Sequence, residues 1–111
     1  VYRVSVTEDK VEPVLAPKVS WEPSVYSTDS FEFPLSDGAR SKLFLVRKRG
    51  WESGVPRPAL VTTYGAFGEE VSHRFDRSIL AWVELGGIYV QVAVRGGGEF
   101  GESWHLAGAG R

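Results

Sequence analysis

The chain has 111 residues, 42% of them hydrophobic and 24% charged, which fits a globular protein of one domain or less. The formal net charge of −1 argues against a nucleic-acid partner, and the absence of cysteine excludes a disulfide framework and a cysteine-based metal site. No signal peptide opens the chain, and no apolar run approaches the roughly 18 residues that span a bilayer. The absence of cysteine fits a cytoplasmic protein, and we expect no membrane partner, cofactor or metal.

The two ends of the chain are Val1 and Arg111, and neither has the character of a natural terminus. We expect an excerpt or a processed product of a longer protein, with trimmed mature ends as the alternative.

Residues 1–28 predict a short strand pair followed by a connector. Residues 1–6 roughly alternate between apolar and polar, and residues 11–15 follow a polar turn as a partner strand. Pro13 confines that partner to a sheet edge, because proline cannot donate to the ladder. Residues 17–28 contain Pro23 and are irregular in pattern.

A hairpin is predicted from residue 29 onward. Apolar side chains alternate over residues 31–35, and Pro34 indicates an edge strand. Asp37-Gly38 is a strong turn signal, because glycine supplies the positive φ of the primed turns. Residues 42–47 are then the returning strand, followed by a polar loop to residue 58.

The remaining residues predict a β-α-β unit. Residues 59–63 and 88–94 are short, nearly continuous apolar runs, typical of strands buried on both faces. Between them, Asp76 can cap a helix that runs to about Leu85 before Gly86-Gly87. The predicted fold class is therefore α/β, with a parallel strand pair. Ligands bind at the carboxyl ends of such strands, where residues 64–68 and 95–104 form the two loops.

A catalytic triad within these residues is one alternative. Its members would be Ser103, Asp76, and either His73 or His105. The nucleophile elbow of α/β-hydrolases is G-x-S-x-G, and the sequence around Ser103 has His105 in place of the second glycine. Residues two apart do not face each other on a helix, so the pattern argues against Ser103 as a nucleophile.

A dinucleotide site is a second alternative, because Gly96, Gly98 and Gly101 match G-x-G-x-x-G by letter. However, Glu99 would place a carboxylate where the anion sits, and no long amphipathic helix follows. The other interpretation is that these glycines let the chain fold tightly over the sheet edge.

Tyr64 and Phe67 are the candidate site residues of the first loop. The loop after an early strand of an α/β-hydrolase contributes to the oxyanion hole, and a tyrosine hydroxyl is a suitable donor. The alternative for Tyr64 is a buried ring whose hydroxyl bonds to backbone, and the spacing leaves the two open. For Phe67, plain core packing is favoured on spacing alone.

Three segments resemble the prolyl oligopeptidase family. They are Y-G-A-F-G at residues 64–68, the stretch from Trp82 through L-G-G-I-Y at residues 85–89, and R-G-G-G-E-F-G-E-S-W-H at residues 95–105. The last string is long and highly specific. Ser36-Asp37-Gly38 resembles the S-x-D-G turn at the start of the family's hydrolase domain but lacks the spacer residue.

The resemblance implies a seven-bladed β-propeller joined to an α/β-hydrolase domain that cleaves short peptides after proline with a Ser-Asp-His triad. Residues 1–28 would be the end of the propeller and the linker, and residues 29–111 the incomplete start of the hydrolase domain. By resemblance, Tyr64 donates to the oxyanion and Phe67 lines the proline pocket. The partners implied are a proline-containing peptide and the rest of the parent protein.

The chain departs from the family pattern in two respects. It lacks the triad and the arginine that holds the substrate, so these residues alone should be inactive, and it has Ala66 where the family usually has glycine. Oligopeptidase B is a related possibility, but Phe67 and Phe100 favour the proline-specific branch. A non-catalytic β-rich binding or structural module is the competing class.

Overall fold

The N-terminal strands form a separate antiparallel hairpin. A computed structural model of the chain describes residues 2–15, 21–51, 54–71 and 76–110. Strand β1 (Tyr2–Ser5) pairs with β2 (Lys10–Pro13), from Tyr2 opposite Pro13 to Ser5 opposite Lys10. This confirms the predicted strand pair. Part of the predicted connector lies outside the described residues.

A second hairpin begins a four-stranded sheet. Strand β3 (Tyr26–Pro34) pairs antiparallel with β4 (Arg40–Lys48), and β3 lies at the sheet edge, as Pro34 predicted. In the turn, Leu35 N–H donates to the Ala39 carbonyl at 2.8 Å, and Gly38 has a φ of +85°. Strand β3 starts at Tyr26, so the predicted division between residues 28 and 29 falls inside a strand. The domain assignment itself remains a prediction.

The β-α-β unit completes the sheet. Strand β5 (Ala59–Tyr64) and strand β6 (Ile88–Ala93) are parallel, in register from Ala59–Ile88 to Tyr64–Ala93. Strand β6 also pairs antiparallel with β4, giving the order β3-β4-β6-β5. The described chain is therefore a small mixed sheet with few helices, and the carboxyl ends of β5 and β6 lie side by side.

Helix α1 (Arg77–Glu84) connects the parallel strands and covers part of one face. Asp76 caps it by accepting from Ser78 N–H at 2.7 Å, and Gly86 follows its end with a φ of +93°. Both signals were predicted. The helix packs against β4 and β6, and Val83 is buried at the contact. A short helix α2 (Glu102–Leu106) follows the second loop. None of the helices in the described ranges is long and apolar enough to cross a membrane.

Residues 59–63 form the predicted strand, but within the described segment this strand is exposed rather than buried on both faces. Leu60 and Val61 are exposed, and 59% of the Val61 surface is accessible. The reason is topological: β5 is the terminal strand of the sheet, bonded among the described residues only to β6, while α1 packs over β4 and β6.

We expect the 111-residue chain to self-associate through β5 when it is prepared alone. An apolar strand with an unpaired backbone edge is a template for pairing with another chain. Light scattering during gel filtration should show concentration-dependent oligomers or precipitation. Val61→Lys should increase the monomer fraction, because a charge on an edge strand opposes pairing. A monomer with a sharp cooperative melt in the unmodified chain would contradict this expectation.

Candidate functional site

Two loops leave the adjacent carboxyl ends of the parallel strands and contact each other. The first, called the Tyr64 loop, comprises residues 64–68. The second, called the glycine loop, comprises residues 95–101. Both follow from the strand pairing, because Tyr64 ends β5 opposite Ala93, the last residue of β6. The sequence predicted both loops at this edge of the sheet.

Tyr64 is half-exposed, with 49% of its surface accessible, and its hydroxyl has no hydrogen-bond partner among the described residues. The ring lines an open cleft of about 510 Å³ together with Phe67, Glu70, Val71 and Ile79. This geometry lacks the buried ring and the satisfied hydroxyl that a purely structural tyrosine would show.

Phe67 lies outside the core, with 86% of its surface exposed beside the cleft. Its φ of +57° is in the left-handed region, which is strained for a bulky L-residue. Within the described residues Phe67 is therefore not part of the core that the spacing favoured, and its role stays a prediction. Strained backbone persists where the surroundings impose it and is common at ligand-binding sites.

Alanine at position 66, where the family usually has glycine, is compatible with the backbone conformation of the Tyr64 loop. The φ of Ala66 lies outside the left-handed region, so a methyl group there adds no backbone strain. Its carbonyl accepts from Glu69 N–H at 3.1 Å and closes a turn around Phe67.

The glycine loop supports the Tyr64 loop by direct backbone contact. Gly68 N–H donates to the Gly96 carbonyl at 3.0 Å, and Gly98 N–H donates to the Glu69 carbonyl at 3.2 Å. A Cβ on Gly96 would lie less than 3.0 Å from Gly65 O, and one on Gly98 equally close to Gly68 O. The glycines therefore permit an approach that side chains would prevent, and this agrees with their structural interpretation.

Helix α2 holds the glycine loop and the residue before it through two side-chain hydrogen bonds. Trp104 is buried and its indole N–H donates to the Val94 carbonyl at 3.0 Å. The His105 ring bonds through Nδ1 to the Gly96 carbonyl at 2.7 Å. Arg95, the first residue of the glycine loop, donates from its guanidinium to the Asp37 carboxylate of the β3–β4 turn. This bond, with a further one from Ala39 N–H, holds the pKa of Asp37 below its ordinary value.

The structure does not assemble the alternative triad from the residues that it describes. Asp76 is occupied as the cap of α1, where the hydroxyl and N–H of Ser78 lower its pKa. His105 is bonded to backbone and stands two positions from the exposed Ser103 on α2. His73 lies outside the described residues.

The dinucleotide alternative also lacks support. The helix that follows the glycine loop has only five residues, from Glu102 to Leu106. The Glu99 carboxylate itself accepts a hydrogen bond from Val71 N–H at 2.8 Å. The described residues contain no group of three or more side chains able to hold a metal ion.

Sequence reasoning missed two supporting contacts, Glu99 with Val71 and Arg95 with Asp37. The paired residues are 28 and 58 positions apart. Charged side chains in a glycine-rich loop were the available signal, but the sequence does not identify their partners.

Comparison with known proteins identifies the group to which this arrangement belongs. No protein-family model matches the chain. A curated prolyl endopeptidase from Elizabethkingia miricola is 31% identical over 108 residues, covering 97% of this chain and 15% of that protein. A solved structure from a study of two prolyl endopeptidases has a TM-score of 0.87 at 33% identity, covering 96% of this chain and 16% of that one.

Oligopeptidase B from Trypanosoma brucei, solved with covalently bound antipain, has a TM-score of 0.85 at 29% identity. The match covers 97% of this chain and 16% of that one. The chain thus resembles one segment of a class of peptidases, and spans about 15% of the length of the curated relatives. It belongs, as such a segment, to the prolyl oligopeptidase family.

Proposed function

We propose that this chain is one segment of a serine-type endopeptidase that cleaves short peptides on the carboxyl side of proline. The protein that contains the segment is called the parent peptidase below. In it, the residues before β3 form the end of a β-propeller and a linker, and the residues from β3 (Tyr26–Pro34) onward begin an α/β-hydrolase domain. This moves the division from residue 28 to the start of that strand. The parent peptidase is cytoplasmic and uses no cofactor.

The observation that carries the proposal is the exposure of Tyr64 together with the hydrogen bonding of its hydroxyl. Tyr64 is at the carboxyl end of a parallel strand and is half-exposed beside a cleft, and its hydroxyl makes no hydrogen bond in the described ranges. A buried structural tyrosine normally has its hydroxyl satisfied. A donor left free at the ligand-binding edge of the sheet is available to a substrate carbonyl.

The proposed chemistry divides between this chain and the rest of the parent peptidase. A serine outside the chain attacks the scissile carbonyl, and its histidine and aspartate partners also lie outside. As the carbonyl oxygen becomes negative, the Tyr64 hydroxyl donates to it, and the second donor is the backbone N–H after the nucleophile. The 111 residues alone therefore catalyse nothing.

Phe67 is the proposed wall of the proline pocket. Its exposed ring stands three residues after Tyr64, so a substrate with its carbonyl at Tyr64 would place its neighbouring side chain near this ring. Because 86% of the Phe67 surface is exposed, a ligand would supply most of the apolar contact of this ring.

Phe67→Ala in the parent peptidase is expected to lower kcat/KM for proline substrates much more than for matched alanine substrates. Burial of a large apolar side chain contributes about 1.5–3 kcal/mol, or roughly 10- to 150-fold. Phe31→Ala is the control, since Phe31 is also exposed but lies on β3. Equal losses for both substrates would refute the pocket assignment.

Oligopeptidase B activity is the second candidate, supported by the structural likeness at a TM-score of 0.85. The family pattern often lacks a phenylalanine at the Phe67 position in that branch. A panel of peptides that differ only at the residue before the scissile bond separates the two, since the proposal requires a preference for proline.

A further inference from the structure

One side chain of the glycine loop holds the backbone segment that follows Phe67. Two of the bonds across this contact join backbone to backbone, at Gly68 N–H and Gly98 N–H. The third is made by a side chain: Glu99 Oε1 accepts from Val71 N–H at 2.8 Å. Val71 is 8% exposed, and a backbone N–H in such a position needs an acceptor.

The Glu99 carboxylate is closely fitted into its loop. A Cβ on Gly97 would lie less than 3.0 Å from Glu99 Oε2, so the carboxylate occupies the space that the glycine leaves. Oε2 is buried and accepts no hydrogen bond from the described residues. The bond to Val71 and the packing against Gly97 thus fix the carboxylate.

We infer that Glu99 is a positioning residue that fixes the Tyr64 loop. By holding Val71, it anchors residues 68–71 to the glycine loop at the far end from the β5–β6 pairing. The Tyr64 loop is then held at one end by the β5–β6 pairing and at the other by the bond from Val71 N–H to Glu99. These two attachments set the direction of the Tyr64 hydroxyl. Glu99 itself touches no reacting atom. This inference rests on the proposed function, because it assigns Glu99 to the support of the oxyanion donor named there.

Glu99→Ala in the parent peptidase is expected to lower kcat by about 10-fold to 10²-fold, because small misplacements of a catalytic group have effects of that order. KM should change little, because the misplaced contact acts in the transition state. Glu99→Gln retains an oxygen at the same reach and should restore most of the lost turnover. Glu102→Ala is the matched control, since it removes an exposed carboxylate three residues away.

A double-mutant cycle with Tyr64→Phe distinguishes positioning from a general structural role. If Glu99 acts by placing the Tyr64 hydroxyl, Glu99→Ala should cost little further turnover once that hydroxyl is gone. If Glu99→Ala does not fold, Glu99→Asp, which withdraws the carboxylate by one methylene, enters the cycle instead. The inference is overturned if Glu99→Ala lowers kcat by the same factor in the unmodified enzyme and in Tyr64→Phe, or if it leaves turnover unchanged. Either result leaves the proposed function standing. Unchanged turnover in Tyr64→Phe alone overturns both.

Discussion

Tyr64→Phe is expected to lower kcat of the parent peptidase by about 10²–10³, or about 2.7–4 kcal/mol, the typical effect of losing one oxyanion donor. The effect should fall on kcat rather than KM, because the contact strengthens only as negative charge develops on the carbonyl oxygen. The substitution keeps the ring and removes only the hydroxyl. Since that hydroxyl has no partner within the described part of the chain, folding should be nearly unaffected.

Tyr26→Phe is the matched control for this experiment. Tyr26 does not line the cleft beside Tyr64, and its hydroxyl donates to the Glu84 carboxylate, so its loss breaks an existing hydrogen bond. We expect a modest loss of stability with turnover largely retained. Steady-state kinetics and the unfolding midpoint are measured side by side for both variants. If Tyr64→Phe instead behaves as Tyr26→Phe should, Tyr64 has a structural role and the oxyanion assignment fails.

Local signals account for the parts of the fold that the sequence predicted. The turn at Asp37-Gly38 and the cap at Asp76 each depend on a few adjacent residues, and both occur where predicted. The two apolar runs predicted the parallel strands, because a crossover helix between them permits that pairing. These elements suffice to bring residues 64–68 and 95–101 to one edge of the sheet.

Burial could not be predicted, because it depends on neighbours rather than on the strand itself. The run at residues 59–63 has the composition of a buried strand, yet β5 is the terminal strand among the described residues and Val61 is largely exposed there. Phe67 shows the same difficulty, since an aromatic ring in an apolar loop is compatible with core packing until its φ and exposure are known.

The support of the candidate site depends on contacts between distant residues. Glu99 meets Val71, and Arg95 meets Asp37, across separations that no local pattern encodes. The resemblance of residues 95–105 to a family string marks the loop as important. Its physical reason appears only when the glycines are seen against the backbone of the Tyr64 loop.

The contact between the two loops should make Gly98→Ala damaging to catalysis. A Cβ there would lie less than 3.0 Å from the Gly68 carbonyl oxygen, and backbone cannot move aside as a flexible side chain can. The φ of Gly98 is outside the left-handed region, so alanine adds no strain of its own. Overpacking typically costs about 1–3 kcal/mol of stability. Because the displaced partner is the Tyr64 loop, kcat should also fall by about 10².

Gly50→Ala separates this collision from the general cost of replacing a glycine. Gly50 follows β4 with a φ of +75° and has open space around its Cα, so alanine there is strained but collides with nothing. We expect a comparable stability loss of roughly 1–2 kcal/mol and unchanged turnover. Denaturant unfolding and kcat of both variants in the parent peptidase provide the comparison. A fall in stability without a fall in kcat for Gly98→Ala would mean that the clash is relieved elsewhere, and that the glycine loop does not control the position of Tyr64.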